Sequence, residues 1–360
     1  MFDWQYYLDT YPDLRQNGVH TEHQAIQHWN IHGKNEGRNS NNKFTYILDA
    51  KQHILNIKHN VQETDCYYTH YIFANTQITS QAISIIMTAS NRSKQTYFTL
   101  NSIAQSSIKD IQVIIVDDSD NDPINNEPIN NEQLKSYPYH IDLIKINKST
   151  KDWHNPLVNY NIGFKFIKGS FVIIQNAEVC HIGDVCKYIK SNAIDKNYYI
   201  FDVKASLDFD TNEVIYNYDI TNTAIYNTAI YNNTNIFSQW YQSEDLNRKY
   251  HFLTGMTIQT FKEINEFSYD CTVGICYDDD DFLLKIISKN INTINVFHTQ
   301  HNIGGIHLFH APAPQAWDNN KPTNELLFNL KKNIYENTGK YIDFTKSSLE
   351  FDINYDTYLR

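Results

Sequence analysis

Apolar residues change their spacing along this chain at residue 83. From there short β-branched runs, at residues 83–87, 111–116, 141–146, 171–174 and 198–203, alternate with longer mixed segments. Short, largely apolar runs of this kind read as strands of a covered sheet. Residues 94–105, 156–168 and 184–191 carry helical spacing instead. Strand and helix in strict alternation predict an α/β domain with a mostly parallel central sheet and helices on both faces.

Upstream the pattern differs. Trp4, Tyr7, Leu8 and Tyr11 recur at helical spacing up to Pro12, and residues 21–31 form a second amphipathic run with Thr21 as N-cap and Gly33 and Gly37 beyond its end. Residues 1–40 therefore read as a small α-helical appendage, an adaptor for a protein partner. Residues 41–81 are Asn- and Gln-rich and read as a connector, residues 82–312 as the α/β domain, and residues 313–360 as a C-terminal extension with a helix over 324–336. Two duplicated pentapeptides, PINNE at 123–132 and TAIYN at 223–232, fit surface loop expansions.

Composition narrows the class. Thirty Lys and Arg against 41 Asp and Glu leave a net charge of -11, which opposes binding to nucleic acid or an anionic membrane. No stretch is long and apolar enough to span a bilayer, and the N-terminus lacks the basic and apolar regions of a signal peptide. Five cysteines, none at C-x-x-C spacing, read as reduced thiols. With the sequon at Asn91, these features predict a cytoplasmic protein, in a host cell if the source is viral. The AT-rich coding style is one that large DNA viruses share with many microbes.

In open α/β sheets, ligands bind beyond the carboxyl ends of the strands. After the first run stand Thr88, Ala89, Ser90, Asn91 and Arg92, with backbone amides, hydroxyls and a guanidinium suited to phosphate or base. After the second stand Asp117, Asp118 and Ser119, which offer carboxylates to a base or a ribose hydroxyl. Either half alone fits an Asx turn or a cap; the two in tandem point to a nucleotide.

These residues resemble the signature of the inverting GT-A glycosyltransferases of family 2, an apolar strand into Thr-x-x-Asn-Arg and then one into Val-Asp-Asp-x-Ser. Asn161-Ile162-Gly163 resembles the family's Asn-x-Gly helix, and residues 274–282 its Gly-x-x-Tyr-Glu-Asp-x-Asp-Phe segment. The resemblance covers roughly residues 82–310. It implies a GT-A fold, a UDP- or GDP-sugar donor, transfer to a hydroxyl of a glycan or glycosylated protein with inversion, and Asn161 beside the nucleotide. Asp279 then takes the role of catalytic base, with Asp278 as the alternative. A helix turns about 100° per residue, so the four acids from Asp278 to Asp281 cannot all face one pocket. They also suit the positive end of a helix.

At the metal motif the chain departs from the family. Where Asp-x-Asp is expected, it reads Gln175-Asn176-Ala177-Glu178. Glu178 and Asn176 are then the ligands expected for a divalent cation, Mn2+ or Mg2+, joined by His307 from a histidine-rich stretch. Asp184 reads as a helix cap and His181 as packing. Trp153 suits either stacking on a ligand or the core. Trp240 and Asp281 are assigned to the acceptor side. One rival is a GT-A-fold protein that binds nucleotide or glycan without turnover. Another, a nucleotidyltransferase, lacks its Gly-rich, Lys-containing loop here.

Overall fold

In the computed structural model the described residues are 2, 4–33, 35–36, 38, 68–74, 77–121, 123–124, 128–147, 153–217, 235, 237–242, 251–272, 274–311 and 321–346. Contacts divide the chain into two units, Met1–Asn56 with Ser348–Arg360, and Ile57–Ser347.

In the first unit, helices α1 (Trp4–Thr10), α2 (Pro12–Gln16) and α3 (Glu22–His28) surround a small core of Tyr7, Leu8, Leu14 and Ala25. Thr21 caps α3 through a capping box with Gln24, as its position predicts. A single π turn, Trp29–Gly33, follows. Added at Gly33, a Cβ would collide with the Tyr7 and Trp29 rings, so the glycine lets the chain close on the aromatic cluster.

The second unit contains strands β1 (Tyr68–Phe73), β2 (Ile83–Ala89), β3 (Ile111–Asp117), β4 (His140–Ile146), β5 (Phe171–Asn176), β6 (Val179–Ile182), β7 (Asn197–Phe201), β8 (Val203–Ser206), β9 (Phe237–Gln242), β10 (Leu253–Thr257), β11 (Asn292–Val296) and β12 (Gly304–His307). Its helices are α4 (Ser93–Ala104), α5 (Pro128–Ser136), α6 (Leu157–Phe164), α7 (Val185–Asn192), α8 (Phe209–Tyr216), α9 (Ile258–Ile264), α10 (Asp278–Ser288), α11 (His298–His301) and α12 (Lys321–Thr338).

Eight strands form the main sheet in the order β1-β4-β3-β2-β5-β10-β7-β11. Strands β4, β3, β2 and β5 are mutually parallel, as are β7 and β11, while β10 runs against both its neighbours and β1 against β4. Alternation along each strand builds a core on each face. Ile85, Met87, Val113 and Ile115 join α4, α5 and α7 on one side; Ile86, Ile114 and Val116 join α6, α9 and α10 on the other. The expected α/β class, with helices on both faces, is the one found.

Differences from expectation are local. Residues 68–73, inside the segment read as a connector, form an edge strand, because their backbone pairs with β4. Residues 198–203 do not make one strand. The chain breaks at Asp202, whose carbonyl accepts from Gly305, and β8 leaves for a second sheet ordered β6-β12-β8-β9. Of the first duplicated pentapeptide, Pro123 and Ile124 are buried and Pro128 begins α5, so this expansion supplies core and helix as well as surface. The TAIYN repeat lies outside the described residues.

Candidate functional site

Register places the carboxyl ends of three strands together: Thr88 pairs with Val116 and Asn176, and Ala89 with Asp117. Because β10 is antiparallel, the residues before it arrive at the same end, Leu253 opposite Gln175. Strand β12 delivers His307 opposite Val179, next to the turn that carries Glu178. A cavity of about 330 Å³ opens there, in the size range of small-ligand sites.

Thr88, Ala89, Arg92, Asp118, Asn176, Glu178, Asp278, Asp279 and His307 all line this cavity. Asn91 and Asp117 shape its rim instead. Asn91, in the left-handed region at φ 54, accepts at Oδ1 from the backbone N–H of Asp120 and Asn121 and donates from its own N–H to Ser119 Oγ. The Asp117 carboxyl accepts from the backbone N–H of Ser119 and Ile124. Burial pushes that carboxyl above its usual range, against these hydrogen bonds. The two strand-end loops are thus tied to each other.

Asn161, expected beside the nucleotide, lies away from the cavity. It is fully buried, donating to the Phe267 carbonyl at 2.9 Å and accepting from the Phe267 N–H at 2.8 Å. Two residues earlier, Asn159 takes the cavity position and donates to Asp118 Oδ2 at 2.9 Å, while its Oδ1 accepts from the Trp153 indole. Trp153 is a core residue, 2% exposed, so of its two readings packing is the one found. Helix α6 lies close to the sheet because position 163 is glycine: a Cβ there would stand 2.9 Å from Ile86 Cγ2 and 3.1 Å from Val116 Cγ2.

Glu178 is the centre of a charged cluster. Its Oε1 receives Arg92 Nη1 at 2.6 Å and lies 3.3 Å from His307 Nε2 and 3.4 Å from His310 Nε2, with Asn176 Nδ2 at 3.5 Å. Burial alone would raise this carboxyl; Arg92 and the two histidines more than reverse that and hold it well below the usual range. Ligand atoms of Glu178, His307 and His310 lie within 4.8 Å of one another, and Glu178 Oε2 is buried with no hydrogen-bond partner. A carboxylate and two imidazoles converging in this way fit a divalent cation. His310 belongs to the same histidine-rich stretch as His298, His301 and His307, and spacing alone favours none of the four over the others. His181, bonded to Gln175 Oε1 and pushed down to about 4 by burial, packs, and Asp184 caps α7.

Of the four acids of α10, Asp278 and Asp279 line the cavity and Asp280 and Asp281 do not, in keeping with the 100° turn. Asp278 is buried and accepts from Asn155 Nδ2 at 3.3 Å; burial, then the Asp279 charge, push it up to about 6. Asp279 lies 2.7 Å from Nδ1 of His251. Asp280 is partly exposed. Asp281, assigned to the acceptor side, does not reach the cavity: Lys331 Nζ and Tyr341 OH each approach its carboxylate to 2.8 Å inside the fold. Trp240 stands in β9, paired with Lys204, and its side chain lies outside the described set. Just before α10, Cys276 and Tyr277 both adopt positive φ, at 69° and 68°, which stores strain in non-glycine residues beside the cavity.

The family model described as glycosyl transferase family 2 matches residues 84–256. No curated protein matches the sequence. Among solved structures, the mannosyltransferase PcManGT from Pyrobaculum calidifontis, in complex with GDP-Man and Mn2+, is 12% identical with a TM-score of 0.43, over 84% of this chain and 76% of that one. S. aureus TarS 1–349, in complex with UDP-GlcNAc, is 13% identical with a TM-score of 0.45, over 78% and 70%.

Proposed function

We propose, from the match of residues 84–256 to the family model described as glycosyl transferase family 2, that this chain moves a sugar from a UDP- or GDP-linked donor to a hydroxyl of a glycan or glycosylated protein, with inversion. The observation that carries the reading is the single cavity that joins the β2 and β3 ends, the Glu178 cluster and the Asp278–Asp279 pair.

In this reading Ala89, Asp118 and Asn159 hold the nucleoside, and Arg92 faces the diphosphate. The acceptor oxygen bonds to the anomeric carbon as its proton passes to Asp279, and the bond from that carbon to the phosphate oxygen breaks with its electron pair on the leaving nucleotide. Glu178, His307 and His310, with Asn176 alongside, would hold a divalent cation, Mn2+ or Mg2+, which would supply positive charge against that leaving diphosphate. Asp278, behind Asp279, is the alternative proton acceptor. Buried thiols at Cys180, Cys186 and Cys271 suit the reducing, cytoplasmic setting we assign. Residues 1–40 are the adaptor for a protein partner.

Calorimetric titration of UDP and GDP with and without Mn2+, followed by donor turnover, tests the reading. Metal-strengthened nucleotide binding with sugar release or transfer is expected. The Asp279→Asn variant should keep nucleotide affinity and lose about 100-fold or more in turnover. Nucleotide binding indifferent to metal, without turnover of any donor, overturns the proposal in favour of a binding protein.

A further inference from the structure

His251 has no place in the reading above, yet it is 4% exposed and lines the cavity. It reaches this position because β10 runs against its neighbours, so the residue two places before the strand arrives where the parallel strands end. Its ring stands edge-on to Tyr160, at 5.1 Å and 84°, and to Phe267, at 4.8 Å and 68°, with Phe282 further off. An imidazole walled by aromatic rings has little freedom to turn.

Two of its atoms address one oxygen. Nδ1 lies 2.7 Å from Asp279 Oδ1, and the His251 backbone N–H donates to the same oxygen at 3.4 Å. That leaves Oδ2 of Asp279 for an incoming hydroxyl. We propose that His251 is the positioning residue of the proton-accepting carboxylate: it fixes the rotation of Asp279 and sets a positive charge against the Asp278–Asp279 pair. The inference rests on the glycosyl-transfer reading and on Asp279 as its base.

The electrostatics agree with the geometry. Burial alone would push the His251 imidazole down, but Asp279 and then Asp278 reverse this and raise it above the ordinary histidine value. In return, the His251 charge opposes the burial and the Asp279 repulsion that push Asp278 up. Among the described residues, the titratable groups facing this imidazole are Asp278 and Asp279 from α10 and the Tyr160 phenol from α6; Tyr198 of β7 faces Asp279.

The test compares the full-length wild type with His251→Asn, whose amide keeps a donor near Nδ1 without a charge, and His251→Phe, which removes both. Wild-type turnover of UDP- or GDP-sugars is recorded first across pH, with UDP affinity and thermal melts as controls of folding. We expect His251→Phe to lower kcat by about 100-fold with donor KM and UDP affinity unchanged. His251→Asn should lose about tenfold, and the acid limb of its kcat profile should move up by about one pH unit. If both variants melt like the wild type and keep kcat within about threefold with an unmoved acid limb, the positioning role is wrong. If His251→Phe does not fold, His251→Asn decides by the same limb. A wild type that turns over no donor fails the functional reading itself, and that outcome is visible before any variant is made.

Discussion

Asp278 sets stability against use. Its folded value of about 6 lies above the ordinary Asp value, so between the two the folded state holds the proton more tightly than the unfolded chain. Stability contributed by this group therefore falls as pH rises through about 6, and the charged carboxylate is a cost at neutral pH. Asp278→Asn removes that cost and can keep a side-chain partner in Asn155. We expect it to stabilise the protein at pH 8 by on the order of 2 kcal/mol, with the gain shrinking as pH falls below about 6 and gone below about 4. Calorimetric melts across that range check it, and equal melting at pH 8 would count against the shift. Glu178 presents the opposite case, a buried carboxylate held in its charged form chiefly by Arg92. Glu178→Gln should weaken Mn2+ binding by about tenfold or more in direct titration; unchanged affinity would remove Glu178 from the ligand set.

At the scale of elements, the sequence displayed the strands that run with the majority. Residues at the ends of the apolar runs of β2, β3 and β5 are legible because an apolar run ends and polar chemistry begins at once, which is what singles out Thr88, Arg92, Asp118 and Glu178. His251 was not legible, since it precedes its strand and only strand direction, set by pairing with β5 and β7, brings it to the cavity. Asn161 and Asp281 show the converse: residue types that suit a site were taken inward by tertiary partners in Phe267 and Lys331 that spacing does not reveal. Lys331 of α12 is fully buried between Asp270 and Asp281, at 2.8 Å from each, and so holds α12 against the helix that carries Asp278 and Asp279. Lys331→Met leaves two buried carboxylates without their cation and should cost about 3–5 kcal/mol in denaturant unfolding, with reduced turnover in the surviving folded fraction. A loss below about 1 kcal/mol would mean that the helix is held otherwise.

Across the whole molecule, the cavity draws on residues from Thr88 to His310, all of them within the second unit, Ile57–Ser347. That supplies a prediction for the adaptor: deleting residues 1–40 should leave UDP and GDP affinity within about twofold, read by calorimetry, because the described residues that line the cavity all come from the second unit. A larger loss would tie the appendage to nucleotide binding. The order in which the cavity is assembled has a further consequence during synthesis. A nascent chain emerges from its N-terminus, so the strand-end loops of β2 and β3 leave the ribosome long before Asp279, and His307 and His310 follow later still. Until β12 has emerged, Glu178 has Arg92 beside it but neither imidazole. Translation thus offers a cradle for nucleotide first, and the groups proposed to take the proton and hold the cation only near its close.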